Sequence, residues 1–217
     1  MTAPHPAFSR PGRIVLDGRH VRLEPLSLAH LDGLRAASTE ADGPARYRWL
    51  HDEPPQSRDE LAGWIGWASK SDDPLYYGIV DKASGQCVGR QSYLRITPKD
   101  GVIEVGGIFW GPRMARTRLA TEALYLSARY AFETLGNRRF EWKCNNLNEP
   151  SKRAAIRFGF TFEGIFRQHT IQKGENRDTA WFSMLDAEWP SRKAGFEAWL
   201  DPANFDEAGQ QKTKLGF

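Results

Sequence analysis

Apolar and polar positions alternate along the chain in two periods, one of about two residues and one of between three and four. Residues 13–16 and 19–26 are short strand-like runs around Asp17-Gly18, a hairpin-turn dipeptide. Ser27 then precedes Leu28, Leu31 and Leu34, a capped start to a helix. Residues 41–56 are punctuated by Pro and Gly, with Tyr47, Trp49 and Leu50 as anchors. Ser57-Arg58-Asp59-Glu60 has the capping-box form and opens a second helix carrying Leu61, Trp64, Ile65 and Ala68. A meander of three strands follows at 76–80, 87–96 and 102–110, with turns at 81–86 and 97–101.

The run 102–110 is almost continuously apolar and reads as a buried strand, stopped by Gly111-Pro112. A short basic loop leads into a helix over 119–135. Ala120, Ala123, Leu124, Ala131 and Leu135 recur on its core face, and Arg118, Glu122, Arg129 and Glu133 lie opposite. On this reading Arg118–Glu122 and Arg129–Glu133 are surface pairs one turn apart. Gly136-Asn137 ends the helix. A strand at 139–144, a short helix at 151–158 stopped by Gly159, and strands at 160–171 and 179–185 about a Gly174 turn complete the pattern. The tail reads as a helix over 193–200 followed by loosely ordered polar residues. The order predicts one mixed α/β domain over 13–187, with a loose N-terminal arm at 1–12 and a C-terminal extension at 188–217.

Composition narrows the class. With 217 residues, 40% of them apolar and eight Trp, the chain is long and apolar enough for a real core. A net charge of +3 requires neither nucleic acid nor a membrane surface. Cys87 and Cys144 sit in strand contexts without CxxC spacing and read as buried thiols, which with the polar N-terminus places the protein in the cytoplasm. The five histidines have no metal-ligand spacing, so no metal is expected. Arg138-Arg139 and Lys152-Arg153 read as solvated faces. Cys144 with His169 lacks the arrangement a nucleophile pair needs.

The junction after residue 110 carries the candidate chemistry. A strand that breaks into a helix leaves the first helical N–H groups unpaired, and the helix dipole adds positive potential there. Arg113, Arg116 and Arg118 place cations around that end, which suits phosphate oxygens. The plainer alternative is an ordinary strand–loop–helix end that binds nothing.

Three further pieces, in order, make the pattern specific: Ile103-Glu104-Val105-Gly106, Leu119-Ala120-Thr121-Glu122-Ala123, and Asn148-x-x-Ser151 followed by Gly159-Phe160 and Glu163-Gly164. With these the chain resembles the GNAT N-acetyltransferases, and within them the Rim-type branch named for ribosomal-protein N-terminal acetyltransferases. The resemblance implies a mixed, mostly antiparallel sheet flanked by helices. It also implies acetyl-CoA as cosubstrate and a primary amine as acceptor, which is a protein N-terminus or a small molecule, and it admits a homodimer. The phosphate-binding loop departs from the family's pattern: Arg118 stands where the family has glycine, and Ala115 replaces the loop's first residue. A GNAT-like CoA-binding module with weakened catalysis is the rival reading.

Carried over residue by residue, the resemblance makes Glu104 the base that takes the amine proton, in place of an acid facing solvent or paired with an Arg. The family's usual tyrosine position holds Ala155, so Ser151 is the implied proton donor to the leaving thiolate, unless it only completes a helix turn. The backbone of Ile108, Phe109 and Trp110 is expected to pair with pantetheine, and Arg116, Thr117, Arg118, Leu119, Ala120 and Thr121 to hold the phosphates. Asn148 reaches the pantetheine arm or caps the short helix. Gly107 replaces a commonly aromatic position beside the acceptor.

Overall fold

A computed structural model describes residues 8–217, so residues 1–7 of the expected arm lie outside the described residues. The chain runs through the hairpin β1 (Leu16–Asp17) and β2 (Val21–Pro25), then α1 (Leu31–Thr39) and α2 (Arg58–Ala68). The meander β3 (Leu75–Asp81), β4 (Cys87–Thr97) and β5 (Val102–Trp110) leads into α3 (Arg118–Arg129). After it come β6 (Arg139–Asn145), α4 (Glu149–Arg157), β7 (Thr161–Gln172), β8 (Glu175–Leu185) and α5 (Trp189–Leu200). The strands make one sheet in the order β1-β2-β3-β4-β5-β6-β8-β7. Every neighbouring pair is antiparallel except β5 and β6, whose connection through α3 makes them parallel.

Period-two alternation divides the sheet residues between two helical layers. Ile103, Val105, Phe140, Trp142 and Phe182 face α3 with Ala123 and Leu124, in the main core. On the other face α1 and α2 cover β3 and β4 with Leu31, Leu34, Leu61 and Ile65. The capping box at α2 forms with a shift. Ser57 Oγ accepts the Glu60 N–H at 3.1 Å, but the Glu60 carboxylate reaches back to the Gln56 N–H.

Several boundaries differ from the sequence expectation, each for a physical reason. The helix expected over 119–135 is α-helical only to Arg129 and widens to a π turn at Tyr130–Thr134. Its expected outer face is covered. Glu122 is 4% exposed, and its carboxylate accepts the backbone N–H groups of Arg19, His20 and Val21 at 2.6–2.8 Å. The Arg118–Glu122 pair therefore does not form. Glu133 bonds Lys193 and the Trp189 indole, and Arg129 lies over Tyr125. The short helix begins at Glu149, two residues early, because Asn148 is its cap. The last hairpin turns on Lys173-Gly174 alone, both in the left-handed region, so polar residues 175–178 are strand and not loop. Residues 13–15 lie outside β1.

The tail is ordered. Trp189, Phe196 and Trp199 are buried, Trp189 stacks on Tyr125, and the Phe217 ring returns to 5.3 Å from Phe196. Arg139 is not a solvated charge either, since its guanidinium bridges Glu141 and Glu163.

Candidate active site

The site begins with one extra residue in β5. Arg90 and Ser92 of β4 stand opposite Phe109 and Gly106, so three steps in β5 match two in β4. Gly107 supplies the bulge at φ +57°, a conformation that favours glycine, and a Cβ there would sit a tight 3.0 Å from Ser92 Oγ. The bulge reverses the alternation. Phe109 turns onto Tyr47, with ring centroids 4.7 Å apart, while Trp110 packs towards Trp142 and Phe158 in the α3 layer. Buried Arg90 holds the bulge by donating to the Gly107 carbonyl at 3.0 Å, and is itself held by Asp52.

Beyond the bulge the sheet opens. The parallel ladder between β5 and β6 ends at Val105 and Trp142, although β5 runs on to Trp110 and β6 to Asn145. The backbone from Gly106 to Trp110 is thus unpaired on the β6 side, which suits an extended ligand with amide groups.

Glu104 and Ser151 flank this fork on opposite faces of the sheet. Glu104 is 3% exposed, and its carboxylate accepts from Arg95 at 2.8 Å and pairs with Lys143 at 3.0 Å. Lys143 also pairs with Glu141 and lies over the Trp181 ring at 3.7 Å. Burial raises the Glu104 carboxyl above the ordinary carboxylate range, while Lys143 and Arg95 pull it back in part. On the other face the Trp142 indole donates to Ser151 Oγ at 2.9 Å. Ser151 Oγ thus accepts from Trp142 and also has a hydrogen bond with the Cys144 side chain on the same face. Asn148 Oδ1 accepts the Ser151 N–H at 3.2 Å, which is the capping role. Burial pushes the Cys144 thiol up, and His169 bonds Thr179 instead, so no nucleophile pair forms.

At the start of α3, Thr117 is the cap, its Oγ1 accepting the Leu119 N–H at 3.2 Å. The left-handed residue is Arg116, at φ +65°, so Arg118 takes the first helical position without strain. No acceptor among the described residues takes the N–H groups of Arg116, Arg118 or Ala120, the orphan donors of this helix start. The Arg118 guanidinium lies over the Phe205 ring at 4.6 Å, placing the C-terminal segment beside this end. Arg157 of α4 reaches Thr121 Oγ1 at 3.2 Å and also faces Trp199. A cavity of about 440 Å³ on the flank of this helix end is lined by Arg19, Lys82, Arg113, Arg118, His20 and Asp81, among others. It lies away from Glu104 and Ser151.

The structure therefore gathers the expected residues into three places along one path: the loop 116–121, the unpaired edge 108–110, and the fork between Glu104 and Ser151. Arg90, Arg95, Trp142 and Lys143 were not singled out in the sequence. Their only signal is a polar residue at a strand position, and strand register alone decides what it meets. Among the described residues no cluster of metal-ligating side chains exists, and no helix is long and apolar enough to cross a membrane.

A strand bulge, a parting parallel pair and a capped helix at the fork define an acyl-CoA type of fold, and the comparisons agree. Residues 20–161 match the family model of the acetyltransferase (GNAT) domain. The chain belongs to the GNAT acetyltransferase family. It is 55% identical to a GCN5-related N-acetyltransferase from Brucella melitensis, at a TM-score of 0.95 over 96% of this chain and 95% of that one. A curated relative, the uncharacterized N-acetyltransferase YoaA of Bacillus subtilis, is 28% identical over 51% of this chain; the match spans 62% of that relative's length. RimL, a ribosomal L7/L12 α-N-protein acetyltransferase solved with coenzyme A, shares the fold at a TM-score of 0.67 and 19% identity, over 80% of this chain and 99% of that one.

Proposed function

We propose that this protein transfers an acetyl group from acetyl-CoA directly to a primary amine. The observation that carries the reading is the fork between β5 and β6, with a buried carboxylate on one face and a serine hydroxyl on the other. The phosphates of acetyl-CoA would meet the free N–H groups and guanidinium groups at 116–121, and pantetheine would pair with the edge 108–110. The thioester then lies at the fork. The amine approaches on the Glu104 face, its nitrogen bonds to the carbonyl carbon, and the carbon–sulfur bond breaks towards the Ser151 face. Glu104 takes the ammonium proton, directly or through water, and Ser151 hydrogen-bonds or protonates the departing thiolate.

Two features support Glu104 as base. Burial strengthens it, and protonation would leave Lys143 still compensated by Glu141. Thiol release from acetyl-CoA over a panel of primary amines tests the proposal. Wild type should turn over at least one class, and Glu104→Gln should lower kcat by ~10²-fold or more with acetyl-CoA affinity unchanged. Turnover within a few-fold of wild type would make Glu104 a structural ion-pair partner.

A further inference from the structure

Among the described residues, the Arg177 guanidinium on the acceptor face has no counter-charge. Positions 177, 179, 181 and 183 of β8 share the sheet face that holds Glu104 and Lys143. Around them the charges are matched. Arg90 pairs with Asp52, Arg95 and Lys143 with Glu104, Arg139 and Lys143 with Glu141, Arg139 with Glu163, and Lys173 with Glu53. Arg177 has no carboxylate within 4.0 Å among the described residues, although it is half-buried and close enough for Glu104 and Arg95 to act on it.

Its fork is nonetheless held rigidly. Arg177 Nε donates to Thr179 Oγ1 at 3.2 Å, and Nη1 donates to Gln172 Oε1 at 2.9 Å. Gln172 is fixed in turn by the Trp49 and Leu50 carbonyls. Among the described residues no acceptor takes the Nη2 protons. Thr179 Oγ1 also lies 3.0 Å from His169 Nδ1, a hydrogen bond whose direction follows the ring's tautomer. Burial together with the Arg177 charge depresses both His169 and His51. Two positions beyond Thr179, the Trp181 indole N–H is buried with no acceptor among the described residues. A buried donor without a partner costs stability unless a ligand or water completes it.

We infer that the acceptor is a small amine bearing a carboxylate, which Arg177 receives with the Trp181 indole as a second donor. The inference rests on the acetyl-transfer reading and names its substrate class. One unmatched positive charge suits a monoanion, and a pre-positioned guanidinium fork matches the two carboxylate oxygens. The ties from Gln172 and Lys173 to the backbone of residues 47–50 join the β7–β8 hairpin tip to the loop before α2.

The test compares a pool of free amino acids with the pool of their carboxamides as acceptors, for wild type, Arg177→Gln and Trp181→Phe. Carboxamides hold more of the reactive free amine at neutral pH, so a preference for the acids runs against intrinsic reactivity. Wild type should favour the acids by ~10-fold or more in kcat/KM. Arg177→Gln should lose ~10–100-fold on the acids while staying within about 3-fold on the amides. Trp181→Phe should lose a smaller factor, again on the acids alone. Acetyl-CoA affinity, measured in parallel, should be unchanged in both variants, which shows that they are folded. Equal use of the two pools, or an equal loss on both, overturns the inference. If wild type acetylates neither pool, the acetyl-transfer reading fails for these amines and calorimetry with N-acetylglycine, a monoanion, decides the anion site. Saturable binding to wild type that Arg177→Gln abolishes supports it, and absent or unaltered binding overturns it.

Discussion

Replacing Ser151 with Ala separates the structural role of its hydroxyl from the catalytic role proposed for it. In the fold, Ser151 Oγ accepts the Trp142 indole N–H at 2.9 Å, and Trp142 is 5% exposed. Removing the oxygen leaves a buried donor unpaired, at a cost of about 1–3 kcal/mol. The helix cap survives, because it uses the Ser151 backbone N–H and Asn148 Oδ1. With a urea m-value of about 2–3 kcal/mol/M, the unfolding midpoint should fall by roughly 0.5–1 M. Trp142→Phe removes the donor instead, and in the double variant neither partner is left unsatisfied. The losses should therefore be less than additive by about 1 kcal/mol. In turnover, Ser151→Ala should cost ~10–100-fold in kcat, the modest amount expected when thiolate already leaves well. Paired urea titrations and steady-state rates distinguish the roles. An unchanged midpoint would refute the hydrogen bond, and a lowered midpoint with intact kcat would reduce Ser151 to a structural partner of Trp142.

Three other outcomes follow from the same geometry. Arg118→Ala should weaken CoA binding by ~10-fold or more in calorimetry, and Phe205→Ala, which removes only the ring beneath that guanidinium, should have a smaller effect; unchanged CoA affinity in Arg118→Ala would mean that the backbone amides alone hold the phosphates. Glu122→Ala strands the backbone N–H groups of Arg19, His20 and Val21 and should cost about 3 kcal/mol or more in denaturant unfolding; a loss under 1 kcal/mol would show that water replaces the carboxylate freely. The Arg139 guanidinium bonded to Glu163 holds that carboxyl below the usual range, so its contribution is complete above the unfolded value of about 4.3 and is lost as pH falls through the lower folded value. Glu163→Gln should accordingly be less stable than wild type at pH 7, with the gap closing below about pH 4; a gap independent of pH would contradict the pairing.

What could be read from the sequence was local. The apolar run at Val102–Trp110, the cap before α2 and the strand-to-helix break at Gly111-Pro112 each depend on neighbours in the chain, and the structure has them close to where they were expected. What could not be read depends on distant partners. A helical wheel places Glu122 and Ala123 on different sides of α3, but every residue from Ala120 to Ala128 is buried, because α5 and the β1–β2 turn cover the outer side. No spacing within α3 announces that. Polar residues 175–178 look like loop, yet they are strand because their partners in β7 extend equally far. The ion-pair network around Lys143 joins residues from three strands, and only the register sets which of them meet.

The central claim is one of placement: acetyl-CoA enters the fork between β5 and β6 with its phosphates on the start of α3. Backbone amide chemical shifts followed during titration with CoA test it residue by residue. The largest saturable shifts should fall at 106–110 and 116–121, with Ser151 and the Trp142 indole N–H moving at the same CoA concentration. Shifts centred elsewhere, or none at millimolar CoA, would contradict the account.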